Sequence, residues 1–452
     1  MSKKNYERPL VYKMEGRVSG KAGPESRIRQ MGAIDGNEPE DLLWEYGSPL
    51  FVVSEKTLRR NYQRLHQAFA TRLPRVQMAW SYKTNYLDAV CLAFHQEGAW
   101  AEVVSGFEYD KAIRNGVPGD KIIFNGPEKT REELRKAIAN RSLIHIDHFD
   151  ELYTLNELAT EMGQRPQAAI RVNMDTGVYP LWDRFGFNFE NGQAWDALTR
   201  IMRTGKIDLL GLHCHIGTFM LSVNAYAIAA EKLTSLAVQL KEKFNHSIRY
   251  IDLGGGFASK NTLKGSYLNG ADMSPDFDDY AEAISKILLN GPFSNEEFPT
   301  LILETGRALI DNAGYLLGTV IANKRSSTGR RNLIVDFGVN TLFTAFWYDH
   351  TLLPVQSKSA YTEECTVYGP LCMNIDVIRE RISLPPMKPG DRIAVLNTGA
   401  YNMTQWMQFI TLRPNIVMID TSGEAQLIRK KETLETITGN ELVPDYLREI
   451  NL

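Results

Sequence analysis

Short apolar runs alternate along most of this chain with longer segments whose apolar positions recur at helical spacing. The runs fall at 76–82, 101–104, 122–124, 143–146, 168–172, 209–213, 250–253 and 301–303. Eight strands with helices between most of them, over roughly 250 residues, predict a (β/α)8 barrel. A doubly wound parallel sheet shares the alternation and is the competing arrangement. Upstream, 47–53 reads as a strand and 55–68 as an amphipathic helix.

After Gly314 the rhythm changes. The stretches 315–321, 332–335, 393–396, 416–419 and 426–428 read as short strands, with turn residues such as Pro389-Gly390-Asp391 and Ser422-Gly423 and few helices between them. They predict a second, mainly β domain. Residues 1–45 are polar and broken by glycines, and read as an arm or peripheral piece. The expected division is a barrel over 49–314 and a mainly β domain over 315–452 that 1–48 joins.

At 452 residues, 43% hydrophobic and 23% charged, the composition is that of a globular protein with room for one large domain and a smaller one. A net charge of -3 offers no electrostatic hold on nucleic acid or a membrane surface. No apolar run approaches spanning length and the start lacks a signal-peptide core, so a cytoplasmic protein is expected. Cys91, Cys214, Cys365 and Cys372 form no Cys-x-x-Cys pair, and no His-Glu-x-x-His occurs, so neither a disulfide framework nor a metal site is expected.

In a barrel of this kind function gathers at the carboxyl ends of the strands, and loops after the last two often hold a phosphate. Lys83 ends the first run, Glu102 lies in the second, His213 and His215 end the sixth, and Glu304 ends the eighth. The seventh ends in Gly254-Gly255-Gly256, where backbone N–H groups can approach an anion unhindered by side chains. Burial of Lys83 is expected to lower its pKa and make its amine a nucleophile. Each residue alone also has a plain structural reading: a strand-edge lysine, a core histidine, a carboxylate in a buried ion pair. Converging on one rim, an imine-forming amine, a phosphate cradle, a carboxylate and an imidazole suit pyridoxal phosphate.

These motifs resemble the pyridoxal-phosphate decarboxylases of the alanine-racemase-like fold, fold type III, especially diaminopimelate decarboxylase and more distantly ornithine decarboxylase. Tyr82-Lys83-Thr84-Asn85 resembles the motif of the cofactor-bearing lysine. Glu102 stands in place of the family's aspartate, and Gly211-Leu-His-Cys-His215-Ile-Gly217-Thr218 is similar to the segment whose last histidine stacks on the cofactor. The resemblance implies Gly254, Gly255, Gly256 and Thr218 at the phosphate, Glu304 at the pyridine nitrogen, and Arg307 near the phosphate or the substrate carboxylate; Thr305 replaces a proline between them. It implies Tyr401 of Gly399-Ala400-Tyr401 at the phosphate. It also implies a homodimer in which Gly369-Pro370-Leu371-Cys372 enters the neighbouring site, Cys372 reprotonates Cα, and Tyr348, Met373, Asp376 and Thr344 lie in the substrate region. A thiol holds its proton at neutral pH and can surrender it to carbon.

Two departures bear on the substrate. Where diaminopimelate decarboxylase carries an arginine for the distal carboxylate, Thr344 stands, and where it carries a glutamate for the distal amine, Met373 stands. Neither can form those pairs. The expected activity is therefore α-decarboxylation of an altered amino acid, larger, modified or carrier-bound. A racemase of the same fold and a catalytically silent relative are the alternatives.

Overall fold

The apolar runs between 76 and 303 close into a ring. In the computed structural model, which describes residues 29–356, 359 and 361–448, these are β2 (Val76–Ser81), β3 (Trp100–Val103), β4 (Ile122–Phe124), β5 (Leu143–Ile146), β6 (Gln167–Asn173), β8 (Asp208–Cys214), β9 (Tyr250–Asp252) and β10 (Thr300–Leu303). All pair in parallel, and β5–β6 and β10–β2 pairing leaves no open edge. A two-residue strand β7 (Phe187–Asn188) pairs beside β6 outside the ring. Alternation along each strand explains the layers. Trp80, Ala101, Phe124, Ile144, Ile170, Leu212 and Ile251 face outward under the helices. Ala79, Ile123, Leu143, Ala169, Leu210, Tyr250 and Ile302 form a separate apolar plug inside. The helix Glu55–Ala70 shows why the outer layer forms: Ser54 Oγ caps it by accepting from Thr57 N at 3.1 Å, and Leu58, Tyr62, Leu65 and Phe69 bury one stripe.

A second, mixed sheet contains β1 (Leu50–Ser54), β11 (Gly314–Arg325), β12 (Arg331–Val335), β13 (Leu352–Pro354), β14 (Glu363–Tyr368), β15 (Val377–Leu384), β16 (Arg392–Leu396), β17 (Asn415–Ile419) and β18 (Ala425–Arg429). One position differs from the sequence expectation. The strand at the head of 49–314 is not part of the barrel: β1 pairs antiparallel with β11 and parallel with β17. Its residues are buried on both faces, so Leu50 and Val52 cannot choose the barrel; they pack with Leu42, Leu43, Leu317 and Val417 under the second sheet. The helix Pro39–Tyr46 thus belongs to this layer, while residues 1–28 of the expected arm lie outside the described residues. The antiparallel pair β14–β15 was not expected, because charged Arg379, Glu380 and Arg381 interrupt the apolar positions of β15 at the sheet edge. Among the described residues no helix is long and apolar enough to cross a membrane.

Candidate active site

Two residues beyond the plug, the interior changes character. Ser81, Glu102, Asn125, His145, Arg171, His213, Asp252 and Glu304, one from each barrel strand or the residue after it, are all buried. Strand register sets them level: Ser81 pairs with Glu102, Arg171 with His213, and His213 with Asp252. Asn125 Nδ2 ties two carboxylates together, donating to Glu304 at 2.6 Å and to Glu102 at 3.1 Å. His213 Nε2 lies 3.6 Å from Glu304. Burial, and next the Glu304 charge, push Asp252 well above the usual carboxylate range. The donor atoms of His145, His213, Asp252 and Glu304 lie within 4.8 Å of one another. Burial and cations including Arg171 and Lys129 hold both histidines well below their ordinary range.

Lys83 stands above this layer on the 3-10 turn Tyr82–Thr84, where β2 ends. Its Nζ is 2.6 Å from Glu102, which also accepts from Ser81 Oγ. The expected fall in its pKa is reversed. Burial pulls the ammonium down, but Glu102 and then Glu304 outweigh it, and the pKa is raised. The turn is pinned to the second domain: Thr404 Oγ1 donates to Lys83 O at 2.8 Å, Tyr401 N to Thr84 O at 2.8 Å, and Asn85 Nδ2 to Gly399 O at 3.0 Å.

Lys83 and Glu304 border a cavity of about 650 Å3 at the carboxyl ends of the strands, whose other walls include His215, Gly255, Gly256 and Tyr401. A larger hollow of about 980 Å3, around Arg75, Arg249 and Thr300, lies at the amino ends, away from this chemistry. His215 is half-buried and held neutral, its pKa well below the usual range through desolvation and then Arg171 and Lys83. Its Nδ1 accepts from Gly255 N at 3.2 Å, and its ring centre is 5.6 Å from that of Trp182. The glycine turn admits no side chain: a Cβ on Gly255 would lie 2.4 Å from Glu304 O, and Gly256 has φ +97° with Gly217 O 2.3 Å from its Cβ position. Arg307 donates to Thr218 Oγ1 at 3.1 Å and to the hydroxyl of Tyr348, and sits 4.6 Å from the Tyr401 ring centre.

Other expected site residues lie elsewhere. Thr344 is 1% exposed and does not reach the cavity, because its Oγ1 is 2.8 Å from His350 Nε2 and 3.0 Å from Asn402 Oδ1. Asp376 is likewise unavailable to a substrate: its oxygens accept from Val339 N and Leu371 N, both at 2.8 Å, and so shape the 369–376 turn. Cys372 is exposed on that turn, and neither it nor Met373, half-buried against the core, lines the cavity of its own chain. Residues not foreseen are Asn125, His145, Arg171 and Asp252 in the polar layer, and Trp182 and Lys264 at the cavity. Polar residues closing short apolar runs were the signal for the first group.

A lysine side chain at one end of the cavity and a side-chain-free anion turn in its wall fit a group with an aldehyde and a phosphate. A barrel with a second mixed sheet, carrying such a cavity, defines the class of fold type III pyridoxal-phosphate enzymes. Residues 58–311 match the family described as pyridoxal-dependent decarboxylase, pyridoxal binding domain. The chain is 31% identical over 432 residues to diaminopimelate decarboxylase of Methanocaldococcus jannaschii, covering 92% of this chain and 95% of that one. It is 29% identical to the Bacillus subtilis enzyme of the same name, covering 92% and 97%. A crystal structure of the M. jannaschii decarboxylase superposes with TM-score 0.85 at 30% identity, covering 93% and 98%. A lysine/ornithine decarboxylase structure from Vibrio vulnificus, 21% identical with TM-score 0.72 and covering 84% and 97%, shares the fold. The chain belongs to the pyridoxal-phosphate-dependent amino-acid decarboxylases.

Proposed function

We propose that this protein removes the α-carboxylate of an amino acid whose distal end differs from that of diaminopimelate, and that it works as a homodimer in the cytoplasm. The observation that carries the reading is the Lys83 side chain, 37% exposed toward the cavity and held at 2.6 Å by Glu102, with Glu304 and His215 beside it. Lys83 would carry the cofactor, and Glu304 would keep a proton on its pyridine nitrogen. His215, neutral and oriented by Gly255 N, would cover the ring. Gly256, Thr218, Arg307 and Tyr401 would hold the phosphate, with Gly254 and Gly255, whose N–H groups go to Asp252 and His215, keeping the turn free of side chains. When bound, pyridoxal phosphate supplies a sink for the electron pair released at Cα. Cys372, exposed on a turn that Asp376 shapes, would return a proton to Cα in the neighbouring subunit.

The altered distal end rests on Met373, which stands where a glutamate would meet a distal ammonium and cannot pair with one; Thr344, turned inward to His350 and Asn402, supplies no arginine for a distal carboxylate and no cavity contact. The test is CO2 release by the holoprotein from diamino acids and their acylated or citrylated derivatives, with diaminopimelate alongside. Release from a derivative but not from diaminopimelate supports the reading. Inversion at Cα without CO2 would replace it with a racemase. Lys83→Ala should abolish the cofactor's visible band and lower the rate by on the order of 10²–10⁴ or more.

A further inference from the structure

The charges around the cavity are unbalanced. Among the described residues the only carboxylate lining it is Glu304, at its floor, whereas Lys83, Arg307 and Lys264 line it as cations. Two of the three are engaged. Lys83 is paired with Glu102. Arg307 bonds to Thr218 and Tyr348 and is enclosed by the rings of Phe219, Trp347, Tyr348 and Tyr401. The ammonium of Lys264 has no hydrogen-bond or ion-pair partner among the described residues.

Lys264 is also held in place. Its backbone N donates to Trp347 O at 2.8 Å, Leu263 forms a β-bridge with Tyr348, and Asp349 N donates to Thr262 O at 2.8 Å. These contacts fasten its loop to the segment that contains Thr344 and His350. The charge of Lys264 reaches that neighbourhood, contributing to the lowered pKa of His350, the hydrogen-bond partner of Thr344. Lys264 thus places a cation in the cavity wall, fastened to the segment that follows Thr344. Leu263, Phe346, Trp347 and Trp182 supply an apolar wall for a side-chain stem.

We propose that Lys264 anchors an anionic group at the far end of the substrate's side chain, so that the preferred amino acids end in a carboxylate rather than an ammonium. This rests on the decarboxylase reading above for the reaction but not for the binding. An ammonium in the same place would face Lys264 and Arg307 with no rim carboxylate to offset them, which is selection by repulsion as well as attraction.

The test uses the holoprotein and two matched sets: 2-aminoadipate, its side-chain amide and lysine; and N6-succinyl-lysine beside N6-acetyl-lysine. Binding is read from the change in the bound cofactor's visible absorbance, and decarboxylation separately from CO2. Within each set the carboxylate-ended compound should bind roughly tenfold or more tightly than its partners. Lys264→Met should erase that preference, with the loss falling in KM rather than kcat; Lys264→Arg should keep it and Lys264→Glu invert it. Preference of the wild type for ammonium-ended compounds, failure to bind any carboxylate-ended one, or an unchanged preference in Lys264→Met would overturn the proposal. So would a Lys264→Met protein that loses pyridoxal phosphate while keeping its selectivity, since Lys264 would then serve the phosphate. Carboxylate-selective binding without CO2 would sink the decarboxylase reading and leave this one standing.

Discussion

Lys83 Nζ lies 2.6 Å from a carboxylate, that of Glu102, whose side chain is wholly buried. The pair fixes the resting charge of the amine: with Glu102 as the largest raising influence, Lys83 stays an ammonium to higher pH than a free lysine. Imine formation needs the neutral amine, so uptake of pyridoxal phosphate by cofactor-free protein should quicken as pH rises. In Glu102→Gln that profile should move to lower pH, as read from the visible band after mixing. The same sign makes the pair's stabilisation complete below the ordinary lysine pKa and lost as pH climbs through the raised one. An unmoved uptake profile would mean Glu102 does not set the amine's charge.

Gly256→Ala should weaken cofactor binding. Its Cβ would meet Gly217 O at 2.3 Å, and φ +97° is strained for alanine. Strain of about 1–3 kcal/mol corresponds to roughly 5- to 150-fold in affinity for pyridoxal phosphate, measurable by fluorescence titration.

Restoring an arginine at position 344 should not restore diaminopimelate decarboxylation. Thr344 is 1% exposed and bonded to His350 and Asn402, so Thr344→Arg overpacks the interior instead of reaching the cavity. The expected loss is about 1–3 kcal/mol in denaturant unfolding, with no gain of CO2 from diaminopimelate.

His350 should make the fold acid-sensitive. Its Nδ1 lies 3.2 Å from Leu396 O and its Nε2 2.8 Å from the Thr344 hydroxyl. Burial, aided by Lys264, lowers its pKa to about 4. A depressed histidine contributes stability present above its unfolded pKa and lost as pH falls toward the folded one, here between about 6.5 and 4. The loss attributable to this residue is on the order of 3 kcal/mol. His350→Gln should unfold with a shallower pH dependence across that window, as seen in denaturant midpoints.

All eight barrel strands were legible to within one residue at each end, because apolar runs bounded by polar ones mark them directly. The lysine turn and the glycine turn were equally plain. The polar layer was not. Asn125, Arg171 and Asp252 are single polar residues closing short runs, and only the ring's register shows that they point at Glu304 and Glu102. The pKa of Lys83 escaped for the same reason, since its controlling neighbour lies on the next strand. In the second domain Thr344 read as a substrate position by alignment of a motif, whereas its partners, His350 and Asn402, turn it inward. Lys264 lies in a loop with no periodicity and acquires meaning only through the segment it is bonded to.

The hydrogen bond from Thr404 to Lys83 O spans 321 positions of sequence. The lysine turn is therefore held by residues that leave the ribosome only when nearly the whole chain has been made. A chain cut before Gly399 would lack all three hydrogen bonds that fix the lysine turn.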